Sequence, residues 1–197
     1  MTCTGPDLPD WANFNGAQQA RPVRPLAILA LKHLGPGEGR TAVELGSGAG
    51  IEAGHLARNG WQVHSYDSDP SVSAAMTSLG IRLPVRHTTI ALEQLADLPP
   101  CDLILACFSL PFLGPAQFHR LWDVVRRRLN STGLLAVDLF GHRDDWAKGH
   151  GTFLTRLQVD GLFEGLEVIS LVEEEQDGLA FSGPKHWHTY QVIARKP

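Results

Sequence analysis

A carboxylate just ahead of a glycine turn is a poor neighbour for a phosphate. Residues 44–50 read Glu-Leu-Gly-Ser-Gly-Ala-Gly, and an alternating run over 62–67 ends in Asp67. The dinucleotide fingerprint G-x-G-x-x-G accounts for Gly46 and Gly48 but needs a third glycine where this chain has Ile51. Glu44 would repel a pyrophosphate and attract an ammonium or sulfonium. Asp67 can accept hydrogen bonds from two ribose hydroxyls. These residues suit a cationic nucleoside without phosphate, such as S-adenosylmethionine, better than a nicotinamide dinucleotide.

The elements that must position these residues alternate. Strands are expected at 41–45, 62–67, 84–88, 101–107 and 133–139, and helices at 49–59, 70–79, 90–96, 115–129 and 152–162. An earlier helix is expected over 21–35, stopped by Gly35-Pro36-Gly37, after an irregular stretch that ends near residue 20. Strands separated by helices imply a parallel sheet with right-handed crossovers and helices on both faces. The strand-like runs 166–176 and 186–196 are joined by a loop alone, so they pair antiparallel. The expectation is a Rossmann-like, doubly wound α/β sheet of seven strands, mostly parallel with the last strand antiparallel.

"VELGSGAG" followed by "YDSDP" resembles the first two motifs of the class I S-adenosylmethionine-dependent methyltransferases. The resemblance extends over nearly the whole chain. Within that family, "LACFSLPFL", "LFGHRDDWA" and "KHWHTYQVIARK" are similar to small bacterial methyltransferases of the tellurite-resistance type. The resemblance implies that Glu44, Gly46, Ser47, Gly48 and Gly50 hold the methionyl part of S-adenosylmethionine, Asp67 the ribose, and that Ser68 lies beside the adenine. Many members carry an acidic residue after the third strand. This chain has Thr89 and Ile90 there, so adenine contact would pass through backbone or hydroxyl. Cys107, at the end of the fourth strand, is grouped with the cofactor site.

Ligands of open parallel sheets bind beyond the carboxyl ends of the strands. The fourth strand delivers Phe108, Ser109 and Phe112 to that edge, and the fifth delivers His142 and Arg143. The final hairpin turns at the same edge and brings His186 and His188, with Trp187 on the opposite face of the strand. Methyl transfer needs an aligned nucleophile and, for some acceptors, a base. His186 and His188 are candidates for that base, and Arg143 for holding an anionic acceptor group. Phe108, Ser109, Phe112, His142 and Trp11 are candidates for the acceptor wall. Residues 1–20 are expected to form a lid, with Trp11 and Phe14 as its apolar anchors, whose removal would spare cofactor affinity. Residues 21–197 are expected to form the cofactor-binding domain.

Competing readings apply to several of these residues. A histidine near a strand edge is often only structural, and Arg143 has Asp144 and Asp145 beside it for an ordinary ion pair. His-x-His can begin a metal site, but no third ligand is fixed by spacing, so no metal is expected. "SLPF" matches the Asn/Asp/Ser-Pro-Pro-Tyr/Phe motif of amino-methylating enzymes except that Leu110 replaces the first proline, which argues against a nucleic-acid base as acceptor.

The 197 residues carry a net charge of −4 with 43% hydrophobic content. That is enough apolar content for one full core, and too acidic for a partner whose main feature is a phosphate backbone. Cys3, Cys101 and Cys107 form no paired framework, and the start of the chain lacks a signal-peptide pattern, so a cytoplasmic location is expected. No membrane association is expected, and the one assembly considered is a homodimer. The combined expectation is a methyltransferase that uses S-adenosylmethionine on a small-molecule acceptor with an oxygen, nitrogen, sulfur or chalcogen nucleophile and yields S-adenosylhomocysteine. The alternative is a non-catalytic module that binds the same cofactor to regulate or scaffold.

Overall fold

The computed structural model describes residues 10–197. Its sheet has the order β3-β2-β1-β4-β5-β8-β7. Five strands are parallel neighbours: β1 (Thr41–Leu45), β2 (Gln62–Asp67), β3 (Val85–Thr89), β4 (Cys101–Ala106) and β5 (Leu129–Gly141). β7 (Glu167–Ala180) and β8 (Gly183–Arg195) form the closing hairpin, and β8 lies antiparallel to both β5 and β7. A two-residue strand, β6 (Phe153–Leu154), adds an eighth member beside the end of β5.

Helices cover both faces because each central strand is apolar on both sides. α2 (Pro25–Leu34) starts on a proline and ends at Gly35, which adopts φ 71°, a left-handed stop. Its Leu26, Ala27 and Ala30 are fully buried and pack with α3 (Ile51–Arg58) and α4 (Ser73–Arg82) on one face. α5 (Pro115–Arg128) and α6 (Arg156–Leu162) cover the other, with Phe118, Leu121, Trp122 and Val125 at helical spacing against β4, β5 and β8.

Three expected elements differ. The stretch read as irregular holds α1 (Trp11–Gln18), started by the Asp10 side chain, which accepts from the Asn13 amide at 3.1 Å. Its apolar residues are too few to announce a helix, and its contacts are tertiary. Residues 1–9 of the expected lid, with Cys3, lie outside the described residues. The helix expected over 90–96 is only a single tight turn at Leu92–Gln94. Leu98 precedes Pro99-Pro100, which disfavours helical backbone, so Leu92 and Leu98 bury themselves from a loop. The helix expected from 152 begins at Arg156. Thr155 and Gln158 form a reciprocal capping box that excludes the residues before it.

The carboxyl ends of β1, β2, β4 and β5 share one edge of the sheet. In the β4–β5 pairing Ala106 faces Val137, so Asp138 stands level with Cys107, where β4 gives way to the site loop. This strand order positions the groups described next.

Candidate active site

The glycine loop leaves β1 by doubling back over the end of β2. Gly46 and Ser47 donate their amides to the Tyr66 carbonyl at 2.8 and 3.1 Å. Gly46 has φ 76°, and a Cβ there would stand 2.2 Å from the Ser109 Cβ, so both the turn and the space exclude any side chain. Ser109 Oγ donates to the Leu45 carbonyl at 2.5 Å, which pins the β4 exit against the β1 exit. The loop ends at Gly50, which caps α3.

Asp67 accepts from the Gly48 amide at 2.7 Å and from the Asp69 amide at 2.9 Å, one bond to each oxygen. A carboxylate has about four lone-pair sites, so capacity for hydroxyl donors remains. Ser68 beside it is exposed. The Ile90 amide donates to the Asp67 carbonyl at 2.8 Å and brings the end of β3 alongside, while the Thr89 hydroxyl pairs with Ser73 at 2.8 Å.

Glu44 is 3% exposed and Ser47 2%. Among the described residues, Glu44 Oε2 and Ser47 Oγ are buried without a hydrogen-bond partner, as is Arg21 Nε. Burial, then the charges of Glu52 and Asp67, hold the Glu44 carboxyl well above the usual carboxylate range, and Arg21 opposes the shift. Unspent buried polar atoms beside an open-backbone glycine turn are what a cationic amino-acid ligand requires. The set fits the methionyl end of S-adenosylmethionine.

The Glu52 carboxylate, in the first turn of α3, accepts both terminal nitrogens of Arg21 at 2.6 Å and the Arg24 amide at 2.9 Å. This clip draws residues 21–24 across the loop. No spacing rule joins positions so far apart, and sequence reading missed both. Asn15 of α1 was missed as well. It is 5% exposed, donates to Asp69 Oδ2 at 2.8 Å, and its Oδ1 is 2.8 Å from where a Cβ on Gly48 would stand.

Beyond β4 the chain makes an aromatic wall. Phe108 adopts φ 54°, a conformation costly for a bulky residue. It stacks on Phe140 at 5.7 Å between centroids and lies 6.3 Å from Trp187, with the Arg24 guanidinium 5.7 Å from its ring centre. Phe112 meets Trp11 edge-on at 4.9 Å, and Phe14 meets Phe181 of the hairpin tip at 5.7 Å. α1 thus spans from the glycine loop to the aromatic wall. Lys185 is buried behind it, bonded to Asp144 at 2.5 Å, with its ammonium 3.4 Å from the Trp187 ring centre and 4.0 Å from that of Trp146.

His186 and His188 share a strand face, but Trp187, not either histidine, is the β8 residue that meets Phe108. His188 is fully buried. Its Nδ1 accepts from the Arg143 amide at 3.1 Å, which leaves the proton on Nε2 to bond Glu173 at 2.9 Å. No lone pair is spare for an acceptor's proton in that arrangement. His186 sits between Asp177 at 2.7 Å and Glu175 at 3.0 Å, whose hydrogen bonds raise its pKa. Arg143 is spent on Glu175 at 2.7 Å and Glu173 at 3.2 Å. His142 is exposed and turns its ring toward His188 at 5.4 Å. Among the described residues no group of three or more His, Cys, Asp or Glu side chains is placed to hold a metal ion.

Cys107 is half-buried, and burial followed by the Asp138 charge pushes its thiol well up. Asp138 reaches the ligand edge from the fifth strand, as its sequence position implies, but the sequence assigned it no role, although a lone carboxylate inside "LLAVDLF" is itself a signal. It is 2% exposed and accepts from Gln191 at 3.1 Å. Burial pushes it up to about 7, with the Gln191 bond and the Arg24 charge pulling the other way.

A doubly wound sheet with this order and a glycine loop after its first strand defines a Rossmann-like α/β fold. Residues 43–137 match a family model described as a methyltransferase domain. That match, with the motifs and site just described, supports a class I S-adenosylmethionine-dependent methyltransferase domain, with S-adenosylmethionine as cofactor and S-adenosylhomocysteine as product. No curated protein matches the sequence. Among solved structures it is similar to TehB from Haemophilus influenzae, with 15% identity, a TM-score of 0.79 and 93% of this chain covered. This chain spans 66% of the length of that one. NodS from Bradyrhizobium japonicum, an N-methyltransferase in complex with S-adenosylhomocysteine, is 15% identical with a TM-score of 0.70, covering 96% of this chain and 100% of its own. A Burkholderia thailandensis 1,6-didemethyltoxoflavin-N1-methyltransferase, bound to 1,6-didemethyltoxoflavin and S-adenosylhomocysteine, is 17% identical with a TM-score of 0.62, covering 88% of this chain and 77% of its own. Among the described residues no helix is long and apolar enough to cross a membrane.

Proposed function

We propose that this chain transfers the methyl group of S-adenosylmethionine to a small-molecule acceptor with an apolar, planar body. The observation that carries this reading is the aromatic wall of Phe108, Phe112, Trp11 and Trp187 at the exit of β4, one strand from the glycine loop. Such a wall takes flat apolar surface and excludes water, whereas a duplex or a folded protein would need an open, charged face. The likeness to an N1-methyltransferase with bound 1,6-didemethyltoxoflavin supports a small-molecule acceptor.

The cofactor supplies an electrophilic methyl on a sulfonium. Glu44 and Ser47 hold its amino-acid end, Asp67 its ribose, and Ser68, Thr89 and Ile90 flank the adenine through backbone and hydroxyl. The aromatic side chains fix the acceptor for in-line attack. Residues 10–20 act as the lid over both halves. Where the acceptor must lose a proton, Asp138 is the suited group, since a carboxyl near pH 7 both accepts and releases protons at neutrality. His186, His188 and Arg143 brace the hairpin that carries Trp187 and do not take the proton.

The test is methyl-labelled S-adenosylmethionine with this protein and a cell extract separated by ultrafiltration. Label is expected in the small-molecule filtrate. Label confined to nucleic acid or protein would sink the reading.

A further inference from the structure

Three of the cations around the cleft are spent on carboxylates. Arg21 holds Glu52 at 2.6 Å, Arg143 holds Glu175 at 2.7 Å, and Lys185 holds Asp144 at 2.5 Å. Arg24 differs. Among the described residues its guanidinium enters no hydrogen bond or ion pair, although the residue is half-buried. Its backbone is fixed on both sides, for the amide donates to Glu52 at 2.9 Å and the carbonyl accepts from Ala27 at 3.1 Å. Pro25, which starts α2, follows at once. A rigid base therefore carries an unspent charge, and that charge lies 5.7 Å from the ring centre of Phe108 in the aromatic wall.

The wall meets a second cation. The Lys185 ammonium lies 3.4 Å from the Trp187 ring centre and 5.0 Å from that of Phe140, and Phe108 packs against both of those rings. Aromatic faces attract cations, and a cluster of rings commonly receives an ammonium group. Here the protein's own lysine takes that place. A cationic acceptor would meet Arg24 and Lys185 with part of the rings' attraction already used. A planar anion gains from the same arrangement, because a guanidinium forks onto a carboxylate and stacks on aromatic faces. Asp138 does not spend Arg24. It is bonded to Gln191 at 3.1 Å, and burial pushes it up to about 7, so it carries a full charge only above neutrality.

From these two cations we infer that the acceptor is a planar organic acid, ionised at neutrality, whose anionic group pairs with Arg24 while its ring lies against Phe108. The inference rests on the small-molecule reading above and adds the acceptor's charge. It gives Arg24 the anion-holding role expected of Arg143, which Glu173 and Glu175 occupy. Fixing Arg24 through its backbone leaves the guanidinium for the ligand and lowers the entropy cost of ordering it.

The experiment divides an ultrafiltered cell extract at pH 7 on an anion exchanger and offers each fraction to the full chain with methyl-labelled S-adenosylmethionine. Acceptor activity is expected mainly in the bound fraction. Activity mainly in the unbound fraction would overturn the inference and leave the small-molecule reading standing. Activity in neither would remove that reading and the inference with it. A dilution series of the active fraction then compares variants. Arg24→Gln should lower kcat/KM at least about tenfold, the range of a lost charged hydrogen bond, and chiefly through KM. Arg24→Lys keeps the charge without the fork and should recover part of the loss. Calorimetry with S-adenosylhomocysteine should change less than about twofold in both variants, since both keep the backbone bonds of residue 24. Unchanged kcat/KM in Arg24→Gln would overturn the inference. So would an equal loss of S-adenosylhomocysteine affinity, which would assign Arg24 to the cofactor or the fold.

Discussion

Asn15 donates to Asp69 at 2.8 Å across 54 positions of sequence, which ties α1, the proposed lid, to the turn that follows Asp67, the proposed ribose ligand. α1 therefore touches the proposed cofactor side of the cleft as well as the proposed acceptor side, where Trp11 meets Phe112 at 4.9 Å. Sequence reading expected a lid independent of the cofactor.

Asn15→Leu keeps the side chain's size and removes its polar contacts. It should raise the S-adenosylhomocysteine dissociation constant about five- to tenfold, about 1–1.4 kcal/mol, the usual net worth of one hydrogen bond. Calorimetry checks it. Unchanged affinity would return α1 to the acceptor side alone.

Cofactor affinity should rise with pH. Burial raises the Glu44 pKa in the free protein and so favours its protonated form, whereas a cationic ligand favours the ionised one. Binding then expels that proton, and affinity falls as pH drops. Calorimetry in two buffers of different ionisation enthalpy should detect net proton release on binding S-adenosylhomocysteine. Glu44→Gln should lose both the release and most of the affinity. Binding of S-adenosylhomocysteine to the wild type with no proton exchanged would contradict this.

Asp138 makes a stability prediction of definite sign. An acid whose folded pKa is raised binds its proton more tightly when folded. Its contribution is therefore complete below the ordinary value of 3.8 and is lost as pH climbs through about 7. The gap of about three units corresponds to at most about 4 kcal/mol. Urea unfolding at pH 5 and pH 8 should show a wild type weaker at pH 8, and Asp138→Asn should flatten that slope. A slope unchanged in the variant would place the titrating group elsewhere.

His188 and His186 should separate in stability. His188→Ala removes a fully buried ring bonded at both nitrogens and strands the Arg143 amide, at a cost of about 2–4 kcal/mol. His186→Ala removes a half-exposed ring whose ion pairs solvent screens, and should cost much less. Thermal unfolding of the two variants distinguishes them, and comparable losses would mean the hairpin network has been misread.

The parts of this protein legible in its sequence are those set by local rules. β1, β2 and α5 are each readable from period and punctuation alone, and the glycine turn with Glu44 and Asp67 occupies one continuous unit whose chemistry names its ligand. The closing hairpin was legible for the same reason, since 166–176 and 186–196 have no helix between them. What tertiary structure decided involves partners far apart in the chain. Arg21 meets Glu52, Asn15 meets Asp69, and Lys185 meets Asp144 only after the sheet has formed, because no helical or strand spacing joins such positions. It also decided which face of β8 meets the site. Alternation placed His186 and His188 together and Trp187 opposite, but only the packing of β8 between β5 and β7 put Trp187 against Phe108 and buried His188 among carboxylates. A period of two says that side chains alternate, and it carries no information about which side the ligand is on.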